Sequence, residues 1–109
     1  APLPLMERMQ DGGGIAYMAS KHAVAGLTRQ FAVSYARHGV RVNAVAPGFI
    51  ETEMTDELPD EIRQAILARV PQGRMGTAQE VADVVAFLAT RGSYVNGTVI
   101  HVNGGLYGG

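Results

Sequence analysis

Two short β-branched runs, each reached through a helical segment and each ended by glycine, constrain this chain more than any other feature. The first is Val40-Arg41-Val42-Asn43-Ala44-Val45-Ala46, closed by Pro47-Gly48; the second is Thr98-Val99-Ile100-His101-Val102, closed by Asn103-Gly104-Gly105. Runs of this composition bounded by turn residues read as strands. Between them the spacing predicts two helices. One opens at Pro59 in its first turn, carries Ile62, Ala65, Ile66 and Val70 on one face, and stops at Pro71. The other follows the capping box Thr77-Ala78-Gln79-Glu80 and carries Val81, Val84, Val85 and Leu88. A loop joins Pro47-Gly48 to Thr55. A longer helix, from about Tyr17 to His38, precedes everything else, with Val24, Leu27, Phe31 and Tyr35 as its core stripe and Gly39 as its stop. Strands separated by helical links of this length pair in parallel. A parallel sheet needs both faces covered, and two strands are too few to stand alone. The expectation is therefore an α/β chain forming only part of a larger, doubly wound parallel-sheet domain.

Composition narrows the function classes. At 109 residues the chain is one small domain or a portion of one, and its 47% apolar content suffices for a core. The net charge of −1, with no basic run, argues against nucleic acid as a partner. Absence of cysteine removes disulfides and thiolate chemistry. No apolar run approaches the roughly 18 residues of a membrane span, and residues 1–10 lack a signal-peptide pattern. The expected setting is cytoplasmic. His22, His38 and His101 lack the spacing with carboxylates that a metal site requires, so no metal is expected. Arg37, His38 and Arg41 form a small basic cluster, read as a solvated face at a helix end in preference to a docking site for an acidic carrier.

Chemistry enters with Tyr17-Met18-Ala19-Ser20-Lys21. In a helix, residues four apart share a face, which sets the phenol beside the ammonium. A neighbouring cation favours phenolate, so a group of free pKa about 10 becomes a usable proton donor near neutrality. By spacing alone the same pair is also a common surface motif.

Taken in order, the Tyr17–Lys21 block, Arg41-Val42-Asn43-Ala44-Val45-Ala46-Pro47-Gly48-Phe49-Ile50-Glu51-Thr52 and His101-Val102-Asn103-Gly104-Gly105 resemble the C-terminal half of the short-chain dehydrogenase/reductases. Within that family they are most similar to the bacterial reductases of 3-oxoacyl-acyl-carrier-protein. The resemblance covers about Gly14 to Tyr107 and implies a Rossmann-like doubly wound sheet, of which residues 1–109 supply the C-terminal part. It implies hydride transfer from NADP(H), with NAD(H) as the other option, to the ketone of a small molecule or an acyl-carrier-protein-bound thioester. Tyr17 matches the catalytic proton donor, and Lys21 the residue that lowers its pKa and binds the nicotinamide ribose. Pro47 and Gly48 match the turn against which the nicotinamide packs, where glycine admits close approach of the ring. Ile50 matches the position whose main chain reads the carboxamide, and Thr52 a hydroxyl near the carboxamide or phosphates; a turn-capping role for Thr52 competes with that reading. Residues 53–71 match the substrate lid. The Tyr17 helix and the last strand match surfaces that build a homotetramer in the family.

The sequence departs from the family pattern in three places. No Gly-x-Gly-x-x-Gly lies between a strand and a helix; no strand precedes Gly12-Gly13-Gly14, and no acid follows at the distance a ribose contact needs. Counted back from Tyr17, the family's catalytic serine falls on Pro4. Pro4 to Gln10 reads as a short remnant helix, so residues 1–14 are expected to mark a deletion junction. The expectation is an incomplete copy of a ketoreductase, inactive by itself. Its rivals are a catalytically dead assembly module and a family member acting on another alcohol or ketone.

Overall fold

The structure, a computed structural model, describes residues 14–106, with side-chain surroundings from residue 22 onward. The expected remnant helix at Pro4–Gln10 and the expected junction through Gly13 lie outside the described residues. The chain opens with α1 (Gly14–Tyr35), which tightens into a 3-10 turn (Ala36–His38) and stops at Gly39, φ 74°. Next come β1 (Ala44–Pro47), a four-residue α2 (Glu53–Asp56), α3 (Asp60–Leu67), α4 (Ala78–Ala89) and β2 (Val99–Val102). The strands pair in parallel, with Ala44 opposite Val99 and Pro47 opposite Val102. The α/β class and the parallel crossover stand as the sequence implied.

Boundaries moved for physical reasons. β1 starts at Ala44, not Val40, because the residues before it bond to side chains. The Val42 N–H donates to Asn96 Oδ1 at 2.9 Å, and the Thr98 N–H donates to Asn43 Oδ1 at 3.1 Å. Asn43 Nδ2 donates in turn to the Val95 carbonyl at 2.9 Å, and Arg41 Nη1 to that of Gly92 at 2.6 Å. Two asparagine amides thus do the work of ladder bonds and bind the entry of β1 to the turn before β2. That turn uses Gly97 at φ 80°, a left-handed conformation glycine adopts without penalty.

The loop expected after Gly48 contains the helix α2, nucleated by a reciprocal cap. Thr52 Oγ1 accepts from the Thr55 N–H at 3.3 Å, and Thr55 Oγ1 accepts from the Thr52 N–H at 2.7 Å. Pro59 is the N-cap of α3 and not a first-turn residue, and the helix ends at Leu67, before Val70. Val70 is buried all the same, against Gly104. The capping box at Thr77–Glu80 forms as the sequence predicts.

The core stripe assigned to α1 is overturned. Val24, Leu27, Phe31 and Tyr35 are each about half exposed; the buried positions are Thr28 and Ala32, 6% and 3% exposed. Small residues decide this. A Cβ on Gly97 would stand 3.2 Å from that of Ala32, a closeness that only the small face of α1 allows. The larger stripe faces outward. The described apolar core is Ala32, Val70 and Leu88, and Ile62, Val85 and Phe87 are also exposed. Two strands present too little sheet to cover the helices, as the count of strands implied.

Candidate active site

Parallel pairing puts the carboxyl ends of β1 and β2 side by side, and in open α/β sheets ligands bind outside those ends. Both chains turn there at glycine. The Gly48 N–H donates to the Val102 carbonyl at 2.9 Å and prolongs the ladder by one bond. A Cβ on Gly48 would lie 2.5 Å from Asn103 Cβ and 2.8 Å from its Cα. In the structure the space freed at Gly48 therefore belongs to Asn103, a reason for glycine that the sequence reading did not foresee. Asn103 fixes its own turn too: its Oδ1 accepts from the Gly105 N–H at 2.9 Å, while Gly104 and Gly105 take φ of 60° and 90° and bring the chain back against Val70 and Pro71.

Beyond Gly48, Ile50 forms an isolated parallel bridge with Gly76. Its two bonds belong to its neighbours: the Gly76 N–H donates to the Phe49 carbonyl at 2.9 Å, and the Glu51 N–H to the Gly76 carbonyl at 2.8 Å. Alternation along an extended chain turns the amide and carbonyl of Ile50 the other way. Among the described residues the main-chain donor and acceptor of Ile50 are thus left without a backbone partner. A Cβ on Gly76 would come within 2.9 Å of Ile50 Cδ1, the end of a side chain that would have to turn aside to admit it.

Phe49, Ile50, Arg74, Glu80, His101 and Asn103 are among the residues lining a cavity of about 240 Å³ at this end of the sheet. Its rim is held by Arg74, which grips Glu80 with two bonds of 2.8 Å. That grip, aided by the Thr77 N–H, holds the Glu80 carboxyl at a pKa of about 2, and the carboxylate in turn raises that of Arg74. Asn103 Nδ2 is buried in the same region without a partner among the described groups.

The expected site residues fall in three groups. Pro47, Gly48 and Ile50 come together at the carboxyl end of β1. Thr52 follows at the start of α2, exposed, its hydroxyl engaged in the cap. Tyr17 and Lys21 lie in the first turns of α1, four residues apart on one helix face, while their side chains lie outside the described residues. Sequence reasoning passed over Arg74 and the packing role of Asn103. Only the capping box pointed toward Glu80, and nothing local paired it with an arginine six residues away.

A parallel α/β unit with a polar cavity and two glycine bends at one sheet end is a portion of an open parallel-sheet fold, of the class that binds ligands beyond the carboxyl ends of its strands. A crystal structure with bound NADP, provisionally described as a 2-deoxy-D-gluconate 3-dehydrogenase from Agrobacterium tumefaciens, superposes with TM-score 0.73 and 45% identity, over 83% of this chain and 38% of that one. The chain belongs to the short-chain dehydrogenase/reductase family: residues 5–107 match the family model described as enoyl-(acyl carrier protein) reductase. Among curated relatives, the 3-oxoacyl-acyl-carrier-protein reductase FabG of Escherichia coli is 50% identical over 100 residues, 91% of this chain and 41% of that protein. FabG of Thermotoga maritima is 53% identical over 91 residues, 83% and 37% of the two chains. The chain thus spans about two fifths of the length of the curated relatives it matches.

Proposed function

We propose that this chain is the catalytic and lid-bearing portion of an NADP(H)-dependent ketoreductase that converts a 3-oxoacyl thioester to the 3-hydroxyacyl form. The observation that carries the reading is the 50% identity to FabG over 100 of the 109 residues, a span that necessarily includes both the Tyr17–Lys21 pair and the Pro47–Gly48 bend. When bound, NADPH supplies hydride to the ketone carbon. Tyr17 donates its phenolic proton to the carbonyl oxygen, and Lys21, one helical turn on, keeps that phenol acidic enough to do so near neutrality. Pro47, exposed at the end of β1, and the outward main chain of Ile50 would hold the nicotinamide end. Thr52 keeps its cap and offers a remaining lone pair to the same ligand. Residues 53–71 close over the substrate.

The described residues fit the nicotinamide end and contain no cradle for the dinucleotide phosphates. The 109-residue chain is accordingly proposed to be inactive alone. The working form is a homotetramer in the cytoplasm that receives its ketone on an acyl carrier protein.

Grafting the segment from Gly14 onward into E. coli FabG tests this, because the graft supplies the phosphate-binding half. The isolated chain should not oxidise NADPH, whereas the graft should do so with acetoacetyl thioester in preference to a sugar ketone or an enoyl thioester. Tyr17→Phe in the graft should lower kcat by about 10²–10⁴-fold, the usual worth of a positioned acid. Preference for a sugar ketone, or a Tyr17→Phe graft that retains full activity, would overturn the proposal.

A further inference from the structure

Residues 52–69 are built as one piece, hydrogen-bonded to the rest of the described chain only through the residues that flank them. Every hydrogen bond that residues 52–69 make among the described residues stays within residues 52–70. At its start the chain is pinned by the Glu51 N–H on the Gly76 carbonyl, 2.8 Å. At its end it is pinned by buried Val70 and by the Gln72 N–H on the Gly104 carbonyl, 3.2 Å.

Inside the segment one side chain joins the two helices. Arg63, on α3, extends Nη2 to the carbonyls of Thr55 and Asp56 at 2.9 and 3.0 Å. These are carbonyls at the end of α2, where a cation meets the negative end of the dipole; that of Thr55 also accepts the Leu58 N–H at 3.2 Å. The choice of partner is informative. Glu53, Asp56, Glu57, Asp60 and Glu61 crowd the same stretch, yet Arg63 forms no ion pair with any of them. Its Nε is buried and without a partner among the described groups, so that side of the guanidinium is withdrawn from solvent. A helix of four residues has no independent stability; its Thr52–Thr55 cap holds one end, and Arg63 holds the other.

We propose that Arg63 is a positioning residue that latches α2 to α3, so that residues 52–69 swing as one rigid flap about two pinned ends. This rests on the reading of residues 53–71 as the substrate lid. A pre-assembled flap closes without ordering each residue anew, and so the substrate's binding energy is not spent on that ordering. Met54, 81% exposed on α2, is the apolar side chain the flap carries with it.

Hydrogen exchange of the 109-residue chain, without ligand, tests the latch apart from any catalysis. The amides of Asp56, Glu57 and Leu58 are bonded within the segment and report its opening. Arg63→Met keeps the stem and removes the donors; exchange at these three amides should rise at least about tenfold, the low end for a single bond from a charged donor. Exchange in α4 and β2 should stay the same. Arg63→Lys, which reaches one carbonyl, should fall between. Unchanged exchange at residues 56–58 in Arg63→Met, a rise spread equally over α4 and β2, or no protection of these amides in the unaltered chain would each overturn the latch. If the graft into FabG then reduces ketones, Arg63→Met should raise KM for the thioester at least threefold and weaken NADPH, which meets the flap only at Thr52, by less than that; the reverse split would also overturn it. A graft without ketoreductase activity would sink the proposed function and leave the exchange result standing.

Discussion

Gly48→Ala separates two explanations of the same glycine. If Gly48 exists to admit a cofactor ring, alanine should leave the ligand-free protein alone and harm only binding. The structure says otherwise, because the new Cβ would stand 2.5 Å from Asn103 Cβ and 2.8 Å from its Cα. Carbon atoms pack at about 3.5–4.0 Å, so the overlap is about 1 Å. Neither struck atom can rotate away, which places the cost at the upper part of the usual overpacking range, about 3 kcal/mol. Gly48 does not have positive φ, so alanine recovers about 0.4–1 kcal/mol by restricting the unfolded chain. The net loss is about 2 kcal/mol, a fall in Tm of about 8–16 °C for a domain of this size. Gly26→Ala is the internal control. It lies within α1 with nothing inside 4 Å of the new Cβ, and should raise stability by about 0.5–1 kcal/mol. The assay is thermal and urea unfolding of both variants without cofactor. Equal Tm for Gly48→Ala and the unaltered chain would refute the close contact of the two strand ends, and with it the account of why this bend is glycine.

Two further outcomes follow from the same structure. Glu80 titrates at about 2 in place of 4.5, first because of the Arg74 hydrogen bonds and next because of the Thr77 N–H. A depressed carboxylate pKa stabilises the fold fully above the ordinary value, and that contribution is lost as pH falls from about 4.5 toward 2. The stability gap between the unaltered chain and Glu80→Gln, followed by urea unfolding, should therefore narrow over that window; a gap independent of pH would contradict the pairing. Asn43→Ala removes the amide that bonds both Val95 and Thr98 and should cost about 2 kcal/mol, with Asn43→Asp costing about half, since only the donor is lost. An unchanged urea midpoint in Asn43→Ala would show that the asparagine pairs do not stand in for ladder bonds.

The sequence alone determined whatever depends on neighbours in the chain. Thr77-Ala78-Gln79-Glu80 caps α4 because each partner lies within one turn, and Gly39 ends the first helix for an equally local reason. Tyr17 and Lys21 share a face by helix geometry, and β-branched residues between glycine bends make parallel strands once helices separate them. Tertiary structure decided which surfaces meet. Val24, Leu27, Phe31 and Tyr35 have the periodicity of a core, yet Thr28 and Ala32 are buried because Gly97 comes within reach of a small face only. The asparagines that replace ladder bonds join residues more than fifty positions apart. So do the two strand ends that make Gly48 obligatory, since Gly48 and Asn103 are brought together by the parallel crossover. Spacing records which residues can share a face, but a face acquires its partner only when distant segments close around it.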